Sequence, residues 1–473
     1  MSEHRPGTQD HPLRVAVVGS GPAGFYAAEH LQSRGDVVQV DMFDRLPTPF
    51  GLVRGGVAPD HQKIKSVTKA YDRIAAHPEF RFYGNVELGR DVAREDLLAY
   101  YHAVIYAVGA RTDRRMGIPR EHLPGSHSAT EFVGWYNAHP DFRSLSFDLS
   151  GPTAVVVGNG NVAMDVARIL ASPAEALAAT DIADDALAEL EAGGVREIVV
   201  LGRRGPAEAA FTAKELGELA ALPGVDVIVD PAALDLPDVS REEVEATPDR
   251  NRDKNLATLR EIAERPREGH PTRIVLDFLA SPVEILGDAH VAGVRVVRNE
   301  LYRGDDGRVR PRATDDERII DTNLVFRAIG YQGVPLMGLP FDAWEGVIPN
   351  DAGRVLAGDG GGDHRGEYVT GWIKRGPTGI IGTNKPDAHE TVDSLFEDLD
   401  AGLLDRGDVP GREVLERLLS QRRRDLVSYE DWQILDAIER RRADDHEERP
   451  RRKFGEIRDM LTAISEHEGD DEG

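Results

Sequence analysis

Cysteine is absent from all 473 residues of this chain. That rules out dithiol relays, thiolate-held iron–sulfur clusters and cysteine-based zinc sites within the polypeptide, and no metal site is expected. Any electrons it handles must leave for an external acceptor. Basic residues are in deficit, 57 against 83 acidic for a formal net charge of −26, which argues against nucleic acid or an anionic membrane as a general partner. No apolar run approaches membrane-spanning length, and residues 1–10 show neither an apolar leader core nor an Arg/Ser-rich transit pattern. The expected setting is the cytoplasm, with a disordered lead over 1–12. At 51.8 kDa the chain is long enough for two or three domains with their own cores.

What is present is a pair of glycine fingerprints, each laid over a strand-to-helix turn. The first places Gly19, Gly21 and Gly24 after the apolar run 15–18 and before a helical pattern, the G-x-G-x-x-G arrangement of a dinucleotide site. A strand over 37–43 then ends in Asp44, twenty residues beyond Gly24. An acid there accepts a ribose 2′-hydroxyl hydrogen bond and repels a 2′-phosphate, so this site suits FAD or NAD and not NADP.

The second fingerprint, Gly158-Asn159-Gly160 with Ala163 in the third place, follows the apolar run 153–157. Its next strand, 197–202, ends in Arg203-Arg204 instead of an acid. Two planar guanidinium forks match the doubly charged 2′-phosphate of NADP. About forty residues separate Ala163 from Arg203, so an extra helical excursion over 171–194 must interrupt the simple unit. Two nucleotide sites of opposite preference imply electron traffic between two cofactors, with a flavin as the natural hub.

The fold class expected is α/β, with two Rossmann-like dinucleotide-binding domains in a glutathione-reductase-like arrangement and the NADP domain inserted in the FAD domain. The boundaries read as 13–111 and 326–473 for the discontinuous FAD-binding domain, with a helical C-terminal extension, and 112–325 for the NADP-binding domain. Residues 46–66 form a loop too rich in Pro and Gly for a regular element. A helix is expected over 64–76, strands over 80–83 and 103–109, a polar helical segment over 242–268, and strands over 273–278 and 291–298. The apolar run 323–330 echoes 104–109 and reads as the strand on which the chain returns. Gly358-Asp359 sits in a glycine-rich stretch that reads as a surface insertion. The better flavin-contacting segment follows it, where Gly379 to Gly382 lets backbone approach a ring ahead of a helix over 388–399. The last seventy residues, with alternating charge, are expected to serve packing and solvation.

At the loop 47–63, the run Gly158-Asn-Gly-Asn-Val-Ala-Met-Asp-Val-Ala-Arg, the run Gly202-Arg-Arg-Gly-Pro and the run Gly371-Trp-Ile-Lys-Arg-Gly-Pro-Thr-Gly, the sequence resembles the NADPH-ferredoxin reductases of the adrenodoxin reductase type, above all the actinobacterial members. The resemblance extends over about residues 13–395 and implies one non-covalent FAD, NADP as the other nucleotide and a ferredoxin-type iron–sulfur protein as partner. Carried over by position, it puts Ala23, Asp44, Leu52 and Val86 at FAD, with Trp372, Gly379, Ile380 and Ile381 beside the isoalloxazine. It puts Asn159, Gly160, Asn161 and Val162 at the NADP pyrophosphate, Arg203 and Arg204 at the 2′-phosphate, Arg114 and Glu215 on the same nucleotide, and Gly379 next to both cofactors. It also implies that His61 and Glu218 face each other near the nicotinamide, where an imidazolium can balance the charge of reduced flavin.

Other readings are weaker. A disulfide reductase would need cysteines. A Baeyer–Villiger monooxygenase would show F-x-G-x-x-x-H, which Phe132 to His139 misses by one residue. An NADPH-quinone or dye diaphorase without a protein partner, and a non-catalytic NADPH-sensing protein, stay open as alternatives. Because ferredoxins are generally acidic, Arg54, Lys63, Lys65, Lys374 and Arg375 are expected to form a basic patch around the flavin edge.

Overall fold

Leu13–Val18 is buried at every position, as a strand must be when both faces of its sheet are covered. It runs parallel to Val38–Phe43 on one side and Ala103–Tyr106 on the other. These belong to a seven-stranded sheet ordered Asn350–Asp351, Arg354–Val355, Glu367–Val369, Ala103–Tyr106, Leu13–Val18, Val38–Phe43, Phe80–Tyr83, whose first two strands form an antiparallel edge. A second sheet repeats the device around Thr153–Val157, in the order Ser126–Ser128, Leu324–Arg327, Thr153–Val157, Glu197–Gly202, Thr272–Phe278, Val225–Val229, parallel throughout.

The computed structural model describes residues 5–471 apart from 359–361, 363, 408 and 445–447. The chain divides into two units, one of residues 1–57, 61–112 and 331–473, the other of 58–60 and 113–330. The architecture is the expected α/β fold with two sheets, one parallel but for its antiparallel edge and one parallel throughout, each in its own unit.

Several sequence expectations need correction. The strand Leu324–Arg327 pairs with Thr153–Val157 in the second sheet, so the chain returns to the first unit at Tyr331 and not at Phe326. The loop 46–66 is not wholly irregular, since it carries two single-turn helices, Leu52–Gly55 and Gln62–Lys65, and the helix expected over 64–76 begins only at Thr68. The segment 242–268 is two helices, Asp238–Ala246 and Arg250–Glu264. The lead is held from residue 5 onward, with Pro6 buried, the Val37 N–H donating to the Gly7 carbonyl at 2.9 Å and Arg5 paired with Asp400 at 2.6 Å. Of the glycine-rich stretch, Asp359 to Gly361 and Asp363 lie outside the described residues.

The C-terminal helices pack on the rest of the first unit, as expected. Tyr429, Trp432, Leu435 and Met460 share a core cluster with Val15, Val17 and Phe25 of the first sheet and fingerprint helix, and Leu415 and Leu419 pack with Val104 and Tyr106. The near-miss motif is structural: Phe132 lies in the core of the second unit, and His139 Nδ1 accepts the Asp141 N–H at 3.2 Å to start a single turn.

Candidate nucleotide sites

The first glycine of each fingerprint is required by backbone conformation. Gly19 has φ 110 and Gly158 φ 124, a region side chains avoid. Their N–H groups donate to carbonyls at the ends of the neighbouring strands, Phe43 at 2.8 Å and Leu201 at 2.9 Å. A Cβ would meet the Ala107 carbonyl oxygen at 2.4 Å in one and that of Ala328 at 2.2 Å in the other. The second glycine is open in both: a Cβ on Gly21 would meet nothing within 4 Å, and one on Gly160 only Ala210 Cβ at 4.0 Å. Tight first glycine and open second glycine make a cradle into which a pyrophosphate fits at the start of a helix. The third position closes the turn, since a Cβ on Gly24 would lie 2.1 Å from the Gly19 carbonyl oxygen, whereas the second unit accommodates Ala163 there, fully buried.

In the first unit Asp44, Val86 and the segments leading to Leu52 and Trp372 lie at or beside this turn. Asp44 is half-buried, and its Oδ2 accepts both the N–H of Ser20, at 3.0 Å, and the Ser20 hydroxyl, while Oδ1 accepts the Leu46 N–H at 3.0 Å. The Val86 N–H donates to the Asp44 carbonyl at 2.8 Å. Ser20 was not singled out from the sequence, because a variable position inside the fingerprint carries no signal of its own. The Phe50 N–H donates to the Ser20 carbonyl at 2.9 Å, and a Cβ on Gly51 would reach Gly21 Cα at 3.0 Å, so the segment leading to Leu52 lies directly on the turn. On the far side of the helix start, a Cβ on Gly371 would strike Ala23 Cβ at 2.6 Å. Trp372 follows, half-buried, its ring 5.1 Å from that of Tyr331. Gly379 has φ 83 and packs on Thr383, Ile380 is 63% exposed, and Ile381 opens the turn that leads into the helix Asn384–Asp400.

In the second unit the loop after the second strand folds back on the fingerprint. The Ala210 N–H donates to the Asn159 carbonyl at 3.2 Å, and the Thr212 N–H to Asn161 Oδ1 at 2.8 Å. A Cβ on Gly202, just before Arg203 and Arg204, would lie 2.8 Å from Asn159 Nδ2. The backbone of that pair is anchored, its carbonyls accepting from Asn299 Nδ2 at 2.8 Å and from the Leu279 N–H at 3.0 Å. Neither guanidinium forms an ion pair among the described residues. Burial, then the neighbouring Arg203 charge, pushes the Arg204 guanidinium below its usual range against the opposing pull of Glu208. Val162 is half-buried on the fingerprint helix. The Arg114 N–H donates to the Gly330 carbonyl at 3.0 Å, and Glu215 is buried on the helix Ala213–Ala220.

His61 caps the single-turn helix Gln62–Lys65 in the first unit, and Glu218 lies on Ala213–Ala220 of the second, 3.0 Å from Lys214. The two thus belong to different units. A residue missed from sequence is Arg168 on the second fingerprint helix, 3% exposed and ion-paired with Asp60 and Asp165. Burial lowers its pKa against the opposing pull of Glu215 and Glu218.

The basic patch does not form as expected. Arg54 is paired with the buried Glu439 at 2.5 Å. Lys374 is buried against Asp387 at 3.4 Å and Glu390 at 2.6 Å, Arg375 contacts Asp387 at 3.4 Å and Lys65 is buried, which leaves Lys63 the one exposed cation of the five. Acidic partners are close enough in the fold to neutralise Arg54, Lys374 and Arg375, which spacing along the chain does not reveal.

Residues 13–192 match the family described as pyridine nucleotide-disulphide oxidoreductase, although a chain without cysteine cannot carry the disulfide step of that description. The chain is 48% identical over 462 residues to the NADPH-ferredoxin reductase FprA of Mycobacterium tuberculosis, covering 95% of this chain and 98% of that protein. It is 40% identical over 475 residues to the mitochondrial NADPH:adrenodoxin oxidoreductase of Arabidopsis thaliana, covering 98% of each. Among solved structures, Mycobacterium tuberculosis FprA in complex with NADPH matches with a TM-score of 0.91 at 47% identity, over 96% of this chain and all of that one.

Proposed function

The chain belongs to the NADPH-ferredoxin reductases of the adrenodoxin reductase type, and on that premise we propose that it oxidises NADPH and passes the electrons, by way of one FAD, to a ferredoxin-type iron–sulfur protein. FAD supplies what the polypeptide lacks, acceptance of a hydride in one event and release of electrons singly. The observation that carries the reading is the contrast between the two second-strand ends, a carboxylate at Asp44 and, at Arg203-Arg204, two guanidiniums outside any ion pair among the described residues.

Gly19, Gly21, Ala23 and Gly24 offer the backbone to the FAD pyrophosphate, Asp44 accepts from the ribose, Leu52 and Val86 flank the nucleotide, and Trp372 with Gly379, Ile380 and Ile381 borders the ring. Gly158, Asn159, Gly160, Asn161 and Val162 hold the NADP pyrophosphate, Arg203 and Arg204 its 2′-phosphate, and Arg114, Glu215 and Gly379 touch the same nucleotide. His61 and Glu218 adjust charge near the nicotinamide, since hydride transfer needs alignment more than it needs a separate proton. Asp44→Ala removes a charge-assisted acceptor and should weaken FAD retention about 10–100-fold, read as flavin release on dilution. No helix among the described residues is long and apolar enough to cross a membrane. A cytoplasmic location is part of the proposal, to be checked by cell fractionation.

The test is anaerobic stopped-flow. NADPH, and far more slowly NADH, should bleach the flavin band, and an added ferredoxin should restore it. Bleaching without restoration by any ferredoxin tried would instead favour the partnerless diaphorase.

A further inference from the structure

The segment over the first fingerprint is held in a conformation it would not adopt by itself. Phe50 has φ 83 and the next residue, Gly51, φ 49, and a non-glycine residue in that region persists only where its surroundings impose it. Phe50 packs on Phe25 at 5.5 Å and Tyr71 at 5.9 Å, and further constraint comes from the far end of the chain. Four residues on from Phe50, Arg54 is 10% exposed and reaches the fully buried Glu439, with Nη2 donating to Oε1 at 2.5 Å and Nη1 to Oε2 at 2.8 Å. The Arg54 guanidinium lies 5.2 Å from the centre of the Trp432 ring. The same indole meets Phe50 edge-on at 5.6 Å. The Phe454 N–H donates to Glu439 Oε1 at 2.9 Å, and Lys453 Nζ to the Arg54 carbonyl at 3.2 Å.

We propose that Arg54 and Glu439 are positioning residues for the FAD cradle, so that the C-terminal helices, beyond their packing role, hold residues 50–52 against Gly21. The inference rests on the FAD reading of the first fingerprint. A bidentate fork fixes orientation as well as distance, and here it fixes the helix Leu52–Gly55, which sets where Gly51 meets the turn. Neither partner touches the nucleotide in this scheme; both act through the backbone of 50–52.

The experiment uses the full-length protein stripped of flavin and titrated with FAD by fluorescence quenching. Folding is followed by far-UV circular dichroism and NADP⁺ binding by calorimetry. Glu439→Gln should raise the FAD dissociation constant at least about tenfold, because it leaves a buried guanidinium half-satisfied, while NADP⁺ affinity stays within about twofold. Arg54→Lys, which keeps the charge but loses the fork, should fall between the two. Should Glu439→Gln not fold, the double variant Arg54→Met with Glu439→Gln removes both charges and avoids a lone buried ion; it should fold, bind NADP⁺ normally and still bind FAD at least about tenfold more weakly. Gln433→Ala, exposed on the same helix, should leave FAD binding unchanged. FAD binding within about twofold of the unmodified protein in either Glu439→Gln or the double variant overturns the proposal, as does equal weakening in Gln433→Ala. An unmodified protein that binds no FAD at all would remove the underlying reading instead.

Discussion

Changing Arg203 and Arg204 together to alanine should raise the Michaelis constant for NADPH about 10²–10⁴-fold, taking roughly 1.5–3 kcal/mol for each charge-assisted hydrogen bond to the phosphate that the truncation removes. The constant for NADH should move by no more than about threefold, since a hydroxyl makes no use of the second charge. The backbone of the pair is anchored through Asn299 and Leu279, so truncating the side chains should leave the strand end in place. The partly buried Arg204, whose pKa is lowered by burial and by Arg203, gains most from a dianion and should account for the larger single effect. Steady-state kinetics with both coenzymes decide this, and equal losses for NADPH and NADH would place the 2′-phosphate elsewhere.

The second large effect separates the two cofactors by their glycines. Gly19→Ala should give a colourless protein, because the new Cβ would have to pass the Ala107 carbonyl oxygen at 2.4 Å with φ at 110. Strained backbone of that kind costs about 1–3 kcal/mol before any clash is counted. Gly158→Ala meets the same obstacle at the Ala328 carbonyl, 2.2 Å away with φ 124, but should remain yellow and lose NADPH-driven bleaching. Gly35→Ala is the control, with nothing within 4 Å of its Cβ. Absorbance of the purified proteins, then stopped-flow with NADPH, reads all three. A colourless Gly158→Ala beside a yellow Gly19→Ala would exchange the roles of the two units.

The parts of this protein legible in its sequence are those fixed by short-range chemistry. A strand, a glycine turn and the residue ending the next strand lie within one βαβ unit, so both fingerprints, Asp44 and Arg203-Arg204 could be read by position. The echo between 104–109 and 323–330 was also visible but misassigned: each is the strand beside its own fingerprint strand, and their carbonyls at Ala107 and Ala328 press on the first glycine. What escaped depends on distant partners. Nothing near Arg54 announces Glu439, and nothing near Lys374 announces that Glu390 and Asp387 will neutralise it. The strand Val309–Asp321 was missed because most of its side chains are exposed and charged, paired in a three-stranded antiparallel sheet, which leaves no alternation of apolar residues to detect.

The two first glycines, each locked between the end of a neighbouring strand and a carbonyl on the other side, have a meaning for descent. Both halves solve the same backbone problem with the same contacts, but the residues that choose the nucleotide are tied to their turns to different degrees: Asp44 accepts from Ser20 inside the first turn, whereas Arg203 and Arg204 are anchored through their backbone to Asn299 and Leu279. Coenzyme preference is therefore separable from the scaffold in the second unit, and coupled to it in the first. A lineage could exchange the side chains of Arg203-Arg204 without disturbing the backbone that carries them, whereas exchanging Asp44 also loosens the turn that it braces, and a side chain at Gly19 or Gly158 meets backbone directly.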